Sequence, residues 1–322
     1  MMPQKFFLAI FLVLLILLGA TDSPAQVTRL SIGTASIGGV FFPLGTGMAK
    51  VITKYVPGVE ASAESTAGSA QNVRLVGTKK TDLGLAMADV VYDAYTGTAK
   101  FSKEKYDNLR GLLMVYGQMM HILVRAESPV KSVADLRGKK VSVGPAGSGT
   151  EFMSKLLLGA YGLTYKDLKV DFLTHEEESL ALSDKNIEAA FYLMGPPASA
   201  IVSFLASHKG RFIPIEKTML DKLHQKFPFY TEMPIPANAY PTQVQAVPSV
   251  GVRVVFLTNT GLSDKFAYEI TKALIEQREE LIAVHPSAKE ITFADALAGM
   301  PIPLHSGAKK YYAEKKHPGL AK

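Results

Sequence analysis

Residues Thr28-Arg-Leu-Ser-Ile-Gly-Thr-Ala-Ser-Ile-Gly-Gly39 pass from a short alternating run into a loop of glycines and small hydroxyls, after which Leu44, Met48, Val51, Ile52 and Tyr55 recur at helical spacing. The pattern reads as strand, glycine-rich loop and helix. Some 110 residues later it returns. Lys140 to Val143 is a strand, Gly144-Pro-Ala-Gly-Ser-Gly-Thr150 a loop, and Glu151 to Tyr161 a helix with Phe152, Leu156, Leu157 and Ala160 on one side. Each helix is followed by a polar stretch, a further helix with a lysine-containing turn, and a short strand: Lys79-Lys-Thr-Asp-Leu-Gly-Leu-Ala86 in the first copy, Lys185-Asn-Ile-Glu-Ala-Ala-Phe191 in the second. Two lobes of similar plan follow, in an α/β architecture with mostly parallel sheets covered on both faces.

Between the copies, His121-Ile-Leu-Val-Arg125 is an extended run suited to crossing from one lobe to the other, and Ser132-Val-Ala-Asp135 looks like a capped helix start. Arg211-Phe-Ile-Pro-Ile215 is a second crossing candidate, with the hinge near Leu123 and Ile213. A proline-rich stretch, Phe227 to Pro248, precedes a strong strand, Val250 to Thr258, and an amphipathic helix, Ser263 to Val284, stopped by Pro286. Two crossings make the lobes discontinuous, 26–122 with 215–322 and 123–214, and leave a cleft between them. Such clefts are preferred ligand sites.

Composition narrows the chemistry. The chain has 322 residues, 48% of them hydrophobic and 20% charged, which supports a sizeable core and about two domains. It has no cysteine, so disulfides, thiolate metal sites, iron–sulfur clusters and cysteine nucleophiles are excluded. Its net charge of +6 leans toward anionic partners, but no dense basic block interleaved with aromatics marks a nucleic-acid groove. Lys5, thirteen apolar residues from Phe6 to Leu18, and small residues at Ser23 and Ala25 read as a signal peptide over residues 1–25, cleaved after Ala25. The mature chain is then expected in the periplasm.

The two loops invite a phosphate reading and fail it. Gly33 to Gly39 lacks the dinucleotide spacing, and Thr150-Glu151 stands where a P-loop needs lysine followed by Ser or Thr. What remains are two helix starts with free backbone N–H groups beside small hydroxyls, which suit a small carboxylate. Glu64-Ser-Thr-Ala-Gly-Ser-Ala-Gln-Asn72 adds a third cluster of hydroxyls and amides, open either to ligand contact or to plain capping by Ser65 or Ser69. No H-E-x-x-H or G-x-S-x-G motif occurs, and no histidine is read as paired with a carboxylate at a useful spacing. His121 reads as a satisfied strand histidine, and Glu176-Glu-Glu178 as negative charge at a helix start. Arg74, Arg110 and Arg125 are candidate carboxylate clamps. Tyr92, Tyr95, Tyr116, Tyr192 and Tyr240 either wall the cleft or pack.

Several stretches together resemble a known family. Ser31-Ile-Gly-Thr-Ala-Ser-Ile-Gly-Gly-Val-Phe-Phe-Pro-Leu-Gly45, Glu64 to Leu75, Ala86-Met-Ala-Asp89, Lys131 to Thr150, Gly195-Pro-Pro197 and Pro303 to Tyr312 are similar, in collinear order, to the TAXI family of solute receptors for TRAP transporters. The resemblance implies a type II-like periplasmic binding protein fold with two hinge crossings. It implies capture of a small organic acid or amino acid such as glutamate, glutamine or 2-oxoglutarate, and delivery to the membrane permease subunits of a TRAP transporter. Ala88 and Ala35 depart from the serine and glycine usual in relatives, which leaves the ligand open.

The expected site brings Thr34, Ser36, Gly38, Ser65 and Ser69 of one lobe against Gly147, Ser148, Gly149 and Thr150 of the other. Asp89, Gly195 and Pro197 enter through the resembling motifs, and Tyr92 as a cleft wall. The expected protein is a monomeric binder without catalytic residues, metal, cofactor or nucleic-acid partner. The rival readings are a receptor of the same fold for an ABC transporter, a secreted α/β hydrolase, and a surface interaction protein with no small ligand.

Overall fold

The computed structural model describes residues 27–227 and 229–320. The signal segment expected from the sequence lies outside the described residues. In chain order the elements are β1 (Thr28–Gly33), α1 (Phe41–Tyr55), β2 (Val59–Glu64), α2 (Ser69–Gly77), β3 (Leu83–Met87), α3 (Ala88–Thr96), β4 (Leu109–Arg125), β5 (Lys140–Ser142), α4 (Gly149–Ala160) and β6 (Lys169–Asp171). They continue with α5 (His175–Ser183), β7 (Ala189–Met194), α6 (Ser199–Ser207), β8 (Gly210–Phe212), α7 (Lys217–Lys226), β9 (Thr231–Glu232), β10 (Val250–Asn259), α8 (Asp264–Glu276), α9 (Arg278–Val284) and α10 (Ser306–Glu314).

The two sequence copies fold alike. β1 pairs in parallel with β2 and β3, and β5 pairs in parallel with β6 and β7, so each copy is a three-stranded parallel unit with its first strand in the middle. The units join in one ten-stranded sheet of order β2-β1-β3-β10-β4-β7-β5-β6, with β8 against β4 and β9 against β10. The sheet is therefore mixed, where alternation of strands and helices alone suggested a mostly parallel one. β10 and β4 run antiparallel to their neighbours because they carry the chain between the units.

β4 is the central element. The sequence marked only His121 to Arg125, but the strand has 17 residues, of which all but Arg110 are buried. At about 3.3 Å per residue it spans about 55 Å. Its first part, Leu109 to Met119, pairs with β10, and Met119 to Val124 pairs with β7. The second expected crossing lies beside it: β8 pairs with Leu123–Arg125, and Ile213 N donates to Ile122 O.

The core divides by sheet face. β7 shows the rule: Ala190, Tyr192 and Met194 enter one apolar cluster while Ala189, Phe191 and Leu193 enter the other. α1, α5, α6 and α8–α10 cover the first face, and α2, α3, α4 and α7 the second. Each cluster runs through both units.

Local signals act as read in most places. Ser132 and Asp135 form a capping box, and Ser263 caps α8 by accepting from Phe266 N at 3.2 Å. The single helix expected from Ser263 to Val284 is broken at Gln277 (φ −103°, ψ 28°). The break lets α9 fold back on α1, where Glu280 accepts from Lys54 Nζ at 2.8 Å and Val284 packs on Gly47. Tertiary packing overrides a continuous amphipathic pattern there.

Candidate ligand-binding site

The two glycine-rich loops meet. The first, after β1, leads into α1; the second, after β5, leads into α4, and both lie where the parallel units face each other across β4. Ala200 N of α6 donates to Gly38 O at 3.2 Å, bridging the units through backbone alone. A Cβ on Gly149 would fall 1.7 Å from Met87 Cε and 3.3 Å from Ser69 Oγ. The two units are in direct contact at these loops.

Between the loops is a cavity of about 30 Å³. It is walled by Ser36 and Gly39 of the first loop, Gly68 and Ser69 at the start of α2, Met87 of β3, Gln118 of β4, Ser148, Gly149 and Thr150 at the start of α4, and His175 of α5. Apolar contributions come from Phe41, Leu193 and Met194. Next to it, past Ala70 and Gly147, runs an open groove of about 890 Å³ whose wall carries Arg74, Lys155, Lys222 and Lys226 with Glu151. The groove is larger, but polar groups without protein partners converge on the small cavity, and such groups mark a site.

Two of these groups are explicit. Gln118 is 4% exposed; its Nε2 donates to the Tyr116 hydroxyl at 3.0 Å, while its Oε1 has no partner. Ser36 Oγ is likewise buried without a partner. Leaving a buried polar atom unpaired costs about 1–3 kcal/mol, which a ligand group supplying the bond removes.

His175 forms the third polar wall. Its Nδ1 lies 2.9 Å from Glu178 Oε2, and Ser142 Oγ donates to Glu178 Oε1 at 2.7 Å. Glu178 is fully buried, and that burial holds its carboxyl above the usual carboxylate range. The pair corrects the expectation that no histidine has a carboxylate at a useful spacing: His175 and Glu178 stand i, i+3 on one helical turn, a signal present in the sequence. Of the acidic run, Glu177 does act as read, closing a capping box with Thr174.

The expected site residues divide into groups. Ser36, Ser69, Ser148, Gly149 and Thr150 line the cavity. Ser148 Oγ also caps α4, accepting from Glu151 N at 3.1 Å. Ser69 Oγ accepts from Met87 N, and Gly68 is the cap residue of α2, so neither Ser65 nor Ser69 caps that helix. Thr34 and Ser65 stand behind the wall: Thr34 Oγ1 donates to Glu64 O at 2.6 Å and Ser65 Oγ to Ala35 O at 3.1 Å. Gly38 packs against Glu176 and Ala200, and Gly147 faces the groove.

Four further expected residues also lie outside the cavity wall. Asp89 is buried and accepts from the Tyr230 hydroxyl. Tyr92 is 40% exposed and packs on Phe229. Gly195 packs on Tyr116 and Ser287, and Pro197 O accepts from His285 Nε2 at 3.0 Å. The arginine candidates are engaged elsewhere: Arg74 with Glu104, Arg110 with backbone carbonyls, and Arg125 with Glu188 and two carbonyls. His121 is the satisfied strand histidine that was read. Met119 O accepts from its Nδ1 at 2.8 Å, and its Nε2 faces the Tyr240 hydroxyl at 3.1 Å. Gln118, Met87 and His175 were missed.

A sequence profile of the NMT1-like family matches residues 32–315. The chain belongs to the NMT1-like family. Solved structures extend this to the fold. A protein from Bordetella bronchiseptica superposes with a TM-score of 0.56 at 14% identity, over 91% of this chain and 99% of that one. The binding protein component of an ABC phosphonate transporter from Pseudomonas aeruginosa gives 0.51 at 13% identity, over 81% and 79%. A Listeria monocytogenes protein assigned to L-cystine ABC transport gives 0.51 at 13%, over 80% and 94%. This member of the NMT1-like family has the type II periplasmic binding protein fold, with its polar cavity where the two parallel units meet.

Proposed function

We propose that this protein is an extracytoplasmic receptor that captures a small organic anion or amino acid between its two α/β units and hands it to a membrane transporter. The observation that carries the reading is the cavity itself: buried Gln118 and Ser36 atoms without protein partners face the start of α4 across the junction of the two units. A pocket of this kind holds a ligand by fixed hydrogen bonds. Closure of the units around the solute would follow from contacts made to both sides at once. The family, the fold and the absence of a recognisable nucleophile and base motif support a binder rather than a hydrolase.

Two transporter classes were expected. The matched structures that carry a transporter name carry an ABC one, which favours the ABC reading over the TRAP reading suggested by the resemblance. Glutamate, glutamine and 2-oxoglutarate remain the first solutes to try, with phosphonates and cystine added from the names of the matched proteins. The periplasm is the compartment this role requires.

The test begins with native mass spectrometry of protein purified without dialysis, to identify any small molecule it carries. Calorimetry with that molecule then compares wild type with Ser148→Leu/Thr150→Leu. Unchanged affinity in the double variant would rule out this cavity as the site, and a protein that neither carries nor binds any solute would refute the receptor role.

A further inference from the structure

Among the described residues His175 is the one histidine in the cavity wall, and its surroundings set its chemistry. The 2.9 Å contact engages Nδ1 with the Glu178 carboxyl and leaves Nε2 as the free edge. That edge is turned toward the first loop: a Cβ built on Gly39 would stand 3.4 Å from Cδ2 and 4.0 Å from Nε2. Nε2 has no hydrogen-bond partner among the described residues. His175 is 6% exposed and Glu178 fully buried, so the pair is withdrawn from water.

Gln118 contributes from the opposite side. In the orientation found, its Nε2 donates to Tyr116 and its Oε1 is left unpaired, although the Tyr116 hydroxyl carries a proton of its own. Turning the amide end for end lets Tyr116 donate to Oε1 and presents the Nε2 hydrogens to the cavity. With Ser36 Oγ, the wall then offers donors from both Gln118 and Ser36 beside the free Nε2 of His175. The cavity of about 30 Å³ has room for about two water-sized atoms, which matches the two oxygens of a carboxylate rather than a whole solute.

We propose that His175, backed by Glu178 and Ser142, is the group that binds the oxyanion of the solute together with Gln118, and that the His175–Glu178 pair takes up one proton when that oxyanion enters. The inference rests on the receptor reading and names its ligand chemistry and its regulation. A proton that enters with the oxyanion keeps the net charge of the site unchanged. One added proton makes the pair neutral overall and turns Nε2 into a donor. The other titratable groups facing His175 are Glu176 of the same helix, whose Oε1 is buried without a partner beneath Gly38, and Tyr192 of β7, whose ring centroid is 5.6 Å away. Burial pushes the Tyr192 hydroxyl well above its ordinary value, so it stays neutral. The first loop and the start of α6 bring no titratable group. Since the bound state holds one more proton, affinity falls by about tenfold per pH unit as pH rises between the titration of the free pair and that of the bound pair.

The experiment uses the mature protein labelled with ¹⁵N-histidine, the His175 signals being assigned by their loss in His175→Gln. Sodium acetate, acetamide and methylammonium chloride are titrated in parallel over a range of pH. Acetate is expected to move Nε2 of His175 to the position of a protonated nitrogen and to raise its titration midpoint, with acetamide and methylammonium without effect. Glu178→Gln should abolish that rise. Gln118→Leu should weaken acetate about tenfold, the loss expected for one charge-assisted hydrogen bond. Thermal unfolding checks that each variant is folded. The proposal is overturned if acetamide acts as acetate does, if acetate moves the amides of Ser148–Thr150 while His175 stays neutral, or if acetate moves none of them. A solute that binds with pH-independent affinity would overturn this inference alone, whereas a protein that carries and binds no solute would overturn the receptor reading itself.

Discussion

His121 should make folding stability depend on pH in a way that one substitution removes. It sits in the middle of β4, fully buried, with Phe212 and Tyr240 rings each 5.4 Å away. Burial pushes its pKa from 6.5 down to about 4. Burial outweighs its hydrogen bonds, which favour the charged form: Met119 O takes the Nδ1 hydrogen at 2.8 Å, the Tyr192 backbone also bonds the ring, and Nε2 faces the Tyr240 hydroxyl at 3.1 Å. The folded pKa lies below the unfolded one, so this contribution is complete above about pH 6.5 and is lost as the pH falls toward 4. At about 1.4 kcal/mol per unit of pKa difference, the loss reaches about 3 kcal/mol near pH 4. His121→Gln removes the titration and some hydrogen bonding, so it should be less stable than wild type by about 1–2 kcal/mol near pH 7.5. Urea denaturation followed by circular dichroism at a series of pH values should show the two curves converging and then crossing on the acid side. His285 and His305, also lowered by burial, contribute to both proteins and cancel in the difference. Parallel curves from pH 7.5 to 4 would refute the reasoning.

Other consequences can be checked separately. In Gly38→Ala a Cβ would lie 2.6 Å from Glu176 Oε1 and 3.0 Å from Ala200 Cβ, across the closed junction. Calorimetry should show affinity for the native solute reduced about 5- to 30-fold, equivalent to about 1–2 kcal/mol of overpacking, with the melting temperature of the solute-free protein little changed. Gly307→Ala is a pure stability change, because its Cβ would stand 2.1 Å from Asp264 O, a backbone atom that cannot swing aside. Denaturation should report a loss of about 3 kcal/mol, and a loss below 0.5 kcal/mol would mean that α8 and α10 are not packed as described. Ser148→Ala removes the cap of α4 and should destabilise by about 1 kcal/mol, visible as a lower denaturation midpoint at unchanged slope.

The repeated strand, loop and helix were legible because local chemistry enforces them. Glycines and small hydroxyls after an apolar run leave few alternatives, and β1 with α1 and β5 with α4 lie within two residues of their expected bounds. The mixed sheet was not legible. The runs that became β4 and β10 differ from those of the parallel strands in their partners, and partners are set by contacts more than a hundred residues apart. In the site, hydroxyls next to helix starts were found because capping and ligand contact use the same residue types. Gln118 lay hidden in an apolar strand, since a lone amide in a buried run has no local signature of what it faces. His175 had a signal in its spacing to Glu178, but an acidic run at a helix start has an adequate explanation in the helix dipole, and that explanation covered the pair.

The shared sheet has a mechanical meaning. Units joined only by loose linkers swing apart like plates on a pin, with little restoring force. Here Met119 is bonded to β10 on one edge and to β7 on the other, and the β4–β10 ladder is irregular between Arg253 and Leu257, just beside it. Any parting of the loops would work against the ladder bonds of β4 and the packed Met233 side chain that meets Gly117. A strand held in this way would act as a leaf spring if the proposed receptor opens: opening would load it, and release of the load would return the loops to contact.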